Sequence, residues 1–294
     1  MPTHSIKSLL KKYNIRPKKR LGQNFLTETP TMAKIVDALN VDSSDTVLEI
    51  GCGMGVMTAM LAGKCKRIVA VDADREALSI AREEFGDVEN IEWIQGDILK
   101  TDIASIAKNG KILVIGNIPY NISSPIFFHL LDNRAHIKHA VLMIQKEVAD
   151  RIVAKPGCKE YGALSIMLQS YAKCEKLFNV AATNFVPPPK VMSSVIKLDF
   201  SGAVGDSRGQ ISQRPVPNNL SPINRSRSEV DFEALRTVVQ SAFQKRRKTI
   251  KNSLSKFEGI EKVLADLEID PKRRPETLSV EEFHKLAHKI ASLN

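Results

Sequence analysis

The stretch Asn117-Ile-Pro-Tyr120, followed by Asn121-Ile-Ser-Ser-Pro125, holds the residue types needed to work on an aromatic amine. The exocyclic nitrogen of adenine is a poor nucleophile because its lone pair is delocalised into the ring. A catalyst must hold both amine hydrogens in acceptor bonds and favour a pyramidal nitrogen. The Asn117 side-chain oxygen and the Ile118 carbonyl can be those two acceptors. Pro119 fixes the turn so that this carbonyl faces the substrate, and Tyr120 offers an aromatic face for an extruded base. Such chemistry requires no metal and no strong general base, since the proton leaves after the transfer. The alternative is a loop whose Asn caps a turn and whose Tyr is core.

Upstream, Glu49-Ile-Gly51-Cys-Gly53-Met-Gly55 follows an apolar run and precedes helix-forming residues. Glycines there let the backbone turn sharply and let a ligand approach main-chain N–H groups. The spacing is G-x-G-x-G; position 56 is Val, so the dinucleotide pattern is missed by one residue, which disfavours NAD. Asp72, about twenty residues beyond the first glycine, can accept from both hydroxyls of a ribose. A helix N-cap is the alternative for Asp72, and Asp74 can fill that role instead. Gln95-Gly-Asp97 places a further polar group at a third strand end, with a turn residue as the alternative reading of Asp97. Three strand ends in register point to a nucleotide-like cofactor along the edge where open α/β sheets bind ligands.

Two further segments carry chemistry. Phe185-Val-Pro-Pro-Pro-Lys190-Val-Met-Ser193 is a rigid proline loop from which Phe185 can form a second face of a base clamp, or simply pack beneath the loop. Arg16-Pro-Lys18-Lys19-Arg20-Leu-Gly-Gln23-Asn24-Phe25-Leu26 joins a basic cluster to two amides and an aromatic, as a phosphate-binding arm closing over a cofactor would. His284 and His288 lie four apart, but no carboxylate completes a metal site. They and His136 and His139 read as surface residues, and no metal is expected.

These residues must be positioned by a fold. Thr46–Ile50, Arg67–Val71, Ile91–Ile94, Lys111–Ile115, His139–Ile144 and Ser194–Phe200 are strand candidates, and helical patterns run over Met54–Ala62 and Glu76–Phe85. Alternating strands and helices predict an α/β fold, a parallel sheet with helices on both faces. Residues 201–229, rich in Ser, Gly, Asn, Pro and Arg, read as a linker or mobile loop. An amphipathic helix is predicted from Phe232 through Leu254, carrying Lys245, Arg246, Arg247, Lys248 and Lys251, with further helices at Ile260–Leu267 and Val280–Leu293. The expected organisation is a catalytic domain over 1–200, a linker over 201–229 and a small all-α domain over 230–294.

Composition agrees with this division. With 294 residues and 43% hydrophobic content the chain can fold on burial alone. Aromatics make up only 5%, with Trp93 the single tryptophan, so a base-stacking surface must come from a few rings. Residues 1–30 hold seven Lys/Arg against one Glu, residues 31–200 nineteen against twenty, and residues 201–294 seventeen against twelve. Two basic ends flank a neutral centre, which points to a polyanion, nucleic acid before a membrane surface. Four cysteines without C-x-x-C spacing fit a reducing cytoplasm. No signal-type segment or membrane-spanning run is present in the sequence.

Together, Leu21-Gly-Gln-Asn-Phe-Leu26, Glu49-Ile-Gly-Cys-Gly53, Gly96-Asp97-Ile-Leu, Asn117-Ile-Pro-Tyr-Asn-Ile-Ser-Ser-Pro125 and Phe185-x-Pro-x-Pro-Lys-Val-x-Ser193 resemble the ribosomal RNA adenine N6,N6-dimethyltransferase family, in its KsgA/RsmA branch. The resemblance runs from about residue 15 to the C-terminus. It implies a Rossmann-like seven-stranded methyltransferase sheet with an antiparallel hairpin at one edge, and S-adenosylmethionine as cofactor. Asn24 and Leu26 would border the cofactor, Glu49, Gly51 and Gly53 would line it, Asp72 would take the ribose and Asp97 the adenine amine. Asn117 would serve cofactor and catalysis, with Tyr120 and Phe185 around the target base. Lys18, Lys19 and Arg20, with the C-terminal cluster, would meet RNA. The implied substrate is a pair of adjacent adenines in the 3′-terminal hairpin of small-subunit (16S) rRNA, on a precursor subunit, with the enzyme a cytoplasmic monomer. A sister branch acts on large-subunit rRNA and shares Asn-Ile-Pro-Tyr; Pro125 and the C-terminal motifs favour the first branch. A non-catalytic assembly or transcription factor on the same fold is the remaining alternative. Asp72 stands where Glu is common in the family, and 201–229 is longer than the usual connection.

Overall fold

The computed structural model describes residues 5–108, 110–201, 222–245 and 247–293, apart from the side chains of 19 and 222–231. The chain opens with helix α1 (Ile6–Lys12), the short strand β1 (Phe25–Leu26) and helix α2 (Thr29–Ala38). Four β/α steps follow: β2 (Thr46–Ile50), α3 (Val56–Ala62), β3 (Arg67–Asp72), α4 (Arg75–Phe85), β4 (Ile91–Gln95), α5 (Ile103–Ala107), β5 (Ile112–Asn117) and α6 (Ser123–Asp132). Next come β6 (Ile137–Gln145), α7 (Lys146–Ile152), α8 (Ala163–Tyr171), β7 (Lys173–Val180), β8 (Phe185–Val186) and β9 (Ser193–Asp199).

The order across the main sheet is β4-β3-β2-β5-β6-β9-β7. The first five strands are parallel and β9 runs antiparallel to both of its neighbours. The hairpin edge implied by the resemblance is therefore present, and the sheet is mixed where periodicity alone predicted a parallel one. Strands β2, β5 and β6 are almost continuously apolar and buried, as strands covered on both faces must be. Edge strand β7 is half exposed and alternates weakly, which is why no apolar run announced it. The chain passes from β2 to β3 and β4 on one side and reaches β5 on the other. This strand-order reversal places a crevice at the carboxyl ends of β2 and β5. Their closeness there depends on Gly116, where a Cβ would come 2.5 Å from the Ile50 carbonyl oxygen.

The described chain groups into two units, Met1–Asp150 with Ala172–Gly202, and Arg151–Tyr171 with Ala203–Asn294. In the second unit α8 and four later helices pack through Leu235, Val239, Phe283 and Leu286, all buried. These helices are α9 (Pro222–Phe243), α10 (Ile250–Ser253), α11 (Ile260–Asp266) and α12 (Val280–Ala291). Ser279 and Glu282 form a reciprocal capping box at the start of α12.

Three sequence expectations change here. Helix α9 begins at Pro222, inside the stretch read as linker; proline is preorganised for a first helical position, and the polar residues after it carry no apolar period to reveal them. Residues 202–221 of that stretch lie outside the described residues. The predicted single helix over 232–254 is two helices, because like charges crowd 245–248 and Thr249 supplies a fresh N-cap to Asn252 N–H. The basic cluster thus sits in a connection where Arg247 has φ +69°, and Arg246 lies outside the described residues. Finally, His139 is buried with Nε2 2.6 Å from the Leu39 carbonyl, and His284 is half-buried edge-on to Tyr171; neither is a surface residue.

Candidate functional site

A cavity of about 240 Å³ opens at the strand-order reversal, lined by the arm from Arg20 to Leu26, the glycine loop, Asp72, Asp97 and the turn from Asn117 to Ile122. Gly51, Gly53 and Gly55 all take positive φ, at 71°, 54° and 79°. At Gly55 the close packing is equally demanding, since a Cβ would stand 2.7 Å from the Trp93 ring. The loop is tied to β3 by the Gly51 N–H donating to the Val71 carbonyl at 2.9 Å.

Two carboxylates serve this loop. Asp72 accepts from the Gly53 N–H at 2.7 Å and from the Asp74 N–H at 2.7 Å, so it braces the turn and still has acceptor capacity for a ligand. Burial pushes its carboxyl above the usual range. Glu49 is fully buried, lines the cavity, and both of its oxygens lack a hydrogen-bond partner among the described residues. Burial pushes Glu49 up to about 7, opposed by the nearby Thr58 hydroxyl and reinforced by the Asp72 charge, so a cationic or donor ligand group beside it would favour its ionised form. Nothing in the spacing of Glu49 signals an orphaned carboxyl; its burial is visible only once the strand has neighbours on both sides. Asp97 lines the cavity at the β4 end and also accepts from the Leu99 N–H at 3.0 Å, so its capping and lining roles coexist. Asp74 is the N-cap of α4, accepting from the Glu76 N–H at 3.0 Å.

The Asn117–Tyr120 turn leaves the end of β5 beside the glycine loop; a Cβ on Gly51 would lie 3.4 Å from the Asn117 carbonyl oxygen. The Ile118 N–H donates to the Met143 carbonyl at 2.9 Å, fixing the turn to β6. Asn117 Nδ2 donates to the Asn24 carbonyl at 3.0 Å, which leaves Oδ1 as its free acceptor. Among the described residues no donor reaches Asn117 Oδ1 or the Ile118 carbonyl. The Tyr120 hydroxyl is 2.7 Å from Ser193 Oγ while its half-buried ring lines the cavity, and burial raises its pKa. Backbone and side chain together hold two acceptors and one aromatic face at one end of the cavity.

Other sequence-predicted residues go elsewhere. Phe185 is 2% exposed, pairs through its backbone with Leu26 in a two-stranded sheet, and packs in the core of the first unit. A ring so enclosed presents no face to a base, which corrects the clamp expectation in favour of packing under the loop. Leu26 is likewise core but borders the cavity. Lys18 ion-pairs with Asp74 at 2.6 Å and Glu76 at 2.7 Å, Arg20 is exposed at the cavity, and the Lys19 side chain lies outside the described residues. In the second unit Lys245, Arg247 and Lys248 are exposed, while Lys251 pairs with Glu261 at 2.7 Å.

Residues 14–203 match the family model described as ribosomal RNA adenine dimethylase. The chain belongs to that family. A relative from Desulforapulum autotrophicum named "Ribosomal RNA small subunit methyltransferase A" is 39% identical, with 97% of this chain and 96% of that protein covered. A relative of the same name from Bacillus thuringiensis is 37% identical, with 97% and 94% covered. Among solved structures, a dimethyladenosine transferase from Plasmodium falciparum superposes with a TM-score of 0.70 at 29% identity, covering 89% of this chain and 95% of that one. The 23S rRNA methyltransferase ErmE superposes at 0.65 with 22% identity, covering 91% and 99%, and so shares the fold. The family's fold is thus the one seen here, a methyltransferase sheet with a helical C-terminal region. No helix among the described residues is long and apolar enough to cross a membrane.

Proposed function

We propose that this enzyme dimethylates N6 of two adjacent adenines in the 3′-terminal hairpin of 16S rRNA, acting in the cytoplasm as a monomer on a precursor of the small ribosomal subunit. The observation that carries the reading is the pair of undonated oxygens, Asn117 Oδ1 and the Ile118 carbonyl, beside the glycine loop and the Tyr120 ring. Family membership supplies the reaction class, and the small-subunit relatives supply the subunit.

The cavity residues fit S-adenosylmethionine. Glu49, buried and unpartnered, suits its ammonium; Asp72 retains acceptor capacity for the ribose hydroxyls; Asp97 suits the adenine amine. When bound, the cofactor supplies an electrophilic methyl on a sulfonium. The chain's own work is to orient and polarise. Asn117 Oδ1 and the Ile118 carbonyl accept the two hydrogens of the target amine and draw its lone pair out of conjugation. The Tyr120 ring stacks on the extruded base, with its hydroxyl tethered to Ser193. The nitrogen gains a bond to carbon before it loses a proton, so water suffices as the final proton acceptor. The helical region around 230–294, with its exposed cations, is assigned to rRNA contact through phosphates.

The deciding experiment offers both isolated subunits, taken from cells lacking this enzyme, with labelled cofactor. The expected result is label at two adjacent adenines of the small-subunit rRNA, four methyl groups per subunit at completion. Label on the large subunit alone would transfer the chain to the sister activity, and cofactor binding without label on either would favour a non-catalytic factor.

A further inference from the structure

Asp74 does more than cap α4. Its carboxylate, in a residue only 4% exposed, also accepts from Lys18 Nζ at 2.6 Å and from Gln23 Nε2 at 2.6 Å. Burial works to raise this carboxyl, yet Lys18 and Gln23 hold it below the usual range, as a carboxylate engaged by donors should be. Gln23 Oε1 in turn accepts from the Lys18 N–H at 2.8 Å, closing residues 18–23 into a turn. Within it Gly22, at φ +64°, lies so close to the acceptor turn that a Cβ would come 2.8 Å from Asn121 Oδ1. Two residues later the Asn24 carbonyl accepts from Asn117 Nδ2. Downstream, β1 pairs with β8, and the Thr27 N–H donates to the Asn184 carbonyl at 2.8 Å. The arm is therefore held at both ends, with the Asn24 carbonyl between.

The direction of the Asn117 amide decides its chemistry. Rotated by half a turn, it would present two N–H donors to a substrate amine that is itself a donor. A backbone carbonyl only accepts, so the Asn24 oxygen keeps Nδ2 engaged with the arm and leaves Oδ1 as the free end of the amide. We propose that Asp74, acting through Lys18 and Gln23, is a positioning residue for methyl transfer: it fixes the arm so that the Asn24 carbonyl orients the Asn117 amide. The inference rests on the acceptor role given to Asn117 above. It also makes Lys18 a tether of the arm and not an RNA contact.

Lys18→Met and Gln23→Leu each remove one donor to Asp74 while keeping its cap on α4. With small subunits as substrate, both variants are expected to lose about tenfold or more in kcat, as small displacements of a catalytic group do. KM for the subunit should stay within about twofold, and Lys18→Arg should recover most of the rate. Independently of turnover, the Asn117 side-chain amide protons, assigned by their disappearance in Asn117→Ala, should exchange with solvent faster in both variants than in the parent enzyme. Unchanged kcat with unchanged amide exchange would overturn the proposal. So would Lys18→Met weakening subunit binding and its salt dependence at full kcat, since Lys18 would then meet phosphate. If the parent enzyme methylated neither subunit, the reading of function would fail, while the exchange comparison would still decide whether the arm orients the amide.

Discussion

At the carboxyl edge of the sheet, most of the cavity's polar side chains are held by a neighbour: Asn117 by the Asn24 carbonyl, Asp72 by the Gly53 and Asp74 N–H groups, Tyr120 by Ser193; Glu49 is the exception, and the nearby Lys18 is held by Asp74. In the connection between α9 and α10, Lys245, Arg247 and Lys248 are exposed, and no carboxylate lies within 4 Å of them among the described residues. Elsewhere in both basic ends cations are held by acids, Arg273 by Glu282 and Lys289 by Asp266 in the second unit. Lys7, Lys12 and Lys18 lie 3.2, 2.5 and 2.6 Å from Glu28, Glu84 and Asp74. Cations held against acids set geometry, whereas unpaired exposed cations add long-range attraction that salt screens. The first region should therefore govern rate and the second affinity.

The largest expected effect tests the first half of that division. Asn117→Ala removes an acceptor needed mainly in the transition state, and methyl transfer should fall by about a hundredfold or more while cofactor binding by calorimetry is largely kept. Equal losses in rate and in cofactor affinity would show that Asn117 chiefly binds.

Glu49→Gln comes next. The folded carboxyl sits at about 7 against an ordinary 4.5, so the ligand-free protein binds more protons than the unfolded chain between those values. Its stability should decline as pH rises across that window, by about 3 kcal/mol or less, and level off above it. A cation bound beside Glu49 favours the ionised form, so cofactor binding near pH 6 should release a proton and tighten as pH rises towards 7. Glu49→Gln should abolish that proton release and weaken cofactor binding by about tenfold or more. Calorimetry in buffers of different ionisation heat reads both, and an unchanged proton count would remove Glu49 from the cofactor site.

The smallest effect belongs to the second region. Replacing Lys245, Arg247 and Lys248 by Glu should weaken subunit binding by about fivefold at low salt, lower the salt slope by about one per lost phosphate contact, and leave kcat at saturation intact. A fall in kcat with an unaltered slope would blur the distinction between the two regions.

Much of the fold was legible because buried parallel strands announce themselves: Thr46–Ile50 coincides with β2, and the ends of β3, β4 and β5 fell within two residues of expectation. The position of the Asn117–Tyr120 turn, at the end of β5 and lining the cavity, was legible for a related reason, since its residues follow an apolar strand directly. What escaped depends on partners distant in sequence. The tie from Lys18 to Asp74 spans 56 residues, the pairing of Leu26 with Phe185 far more, and neither leaves a periodic trace. Phe185 was read as a clamp because its proline loop is rigid, yet the residue pairs through its backbone with Leu26 and its ring is in the core. Charge counting treated paired and unpaired cations alike because a sum over residues records no neighbours.

The claim on which most depends is that two oxygens of the Asn117–Ile118 segment receive the target amine. A structure of the enzyme with a substrate hairpin and the demethylated cofactor product would test it directly. The adenine N6 should lie about 3 Å from both Asn117 Oδ1 and the Ile118 carbonyl, with the base against the Tyr120 ring. An N6 held by other groups, or an Asn117 amide turned to present its nitrogen, would contradict the account.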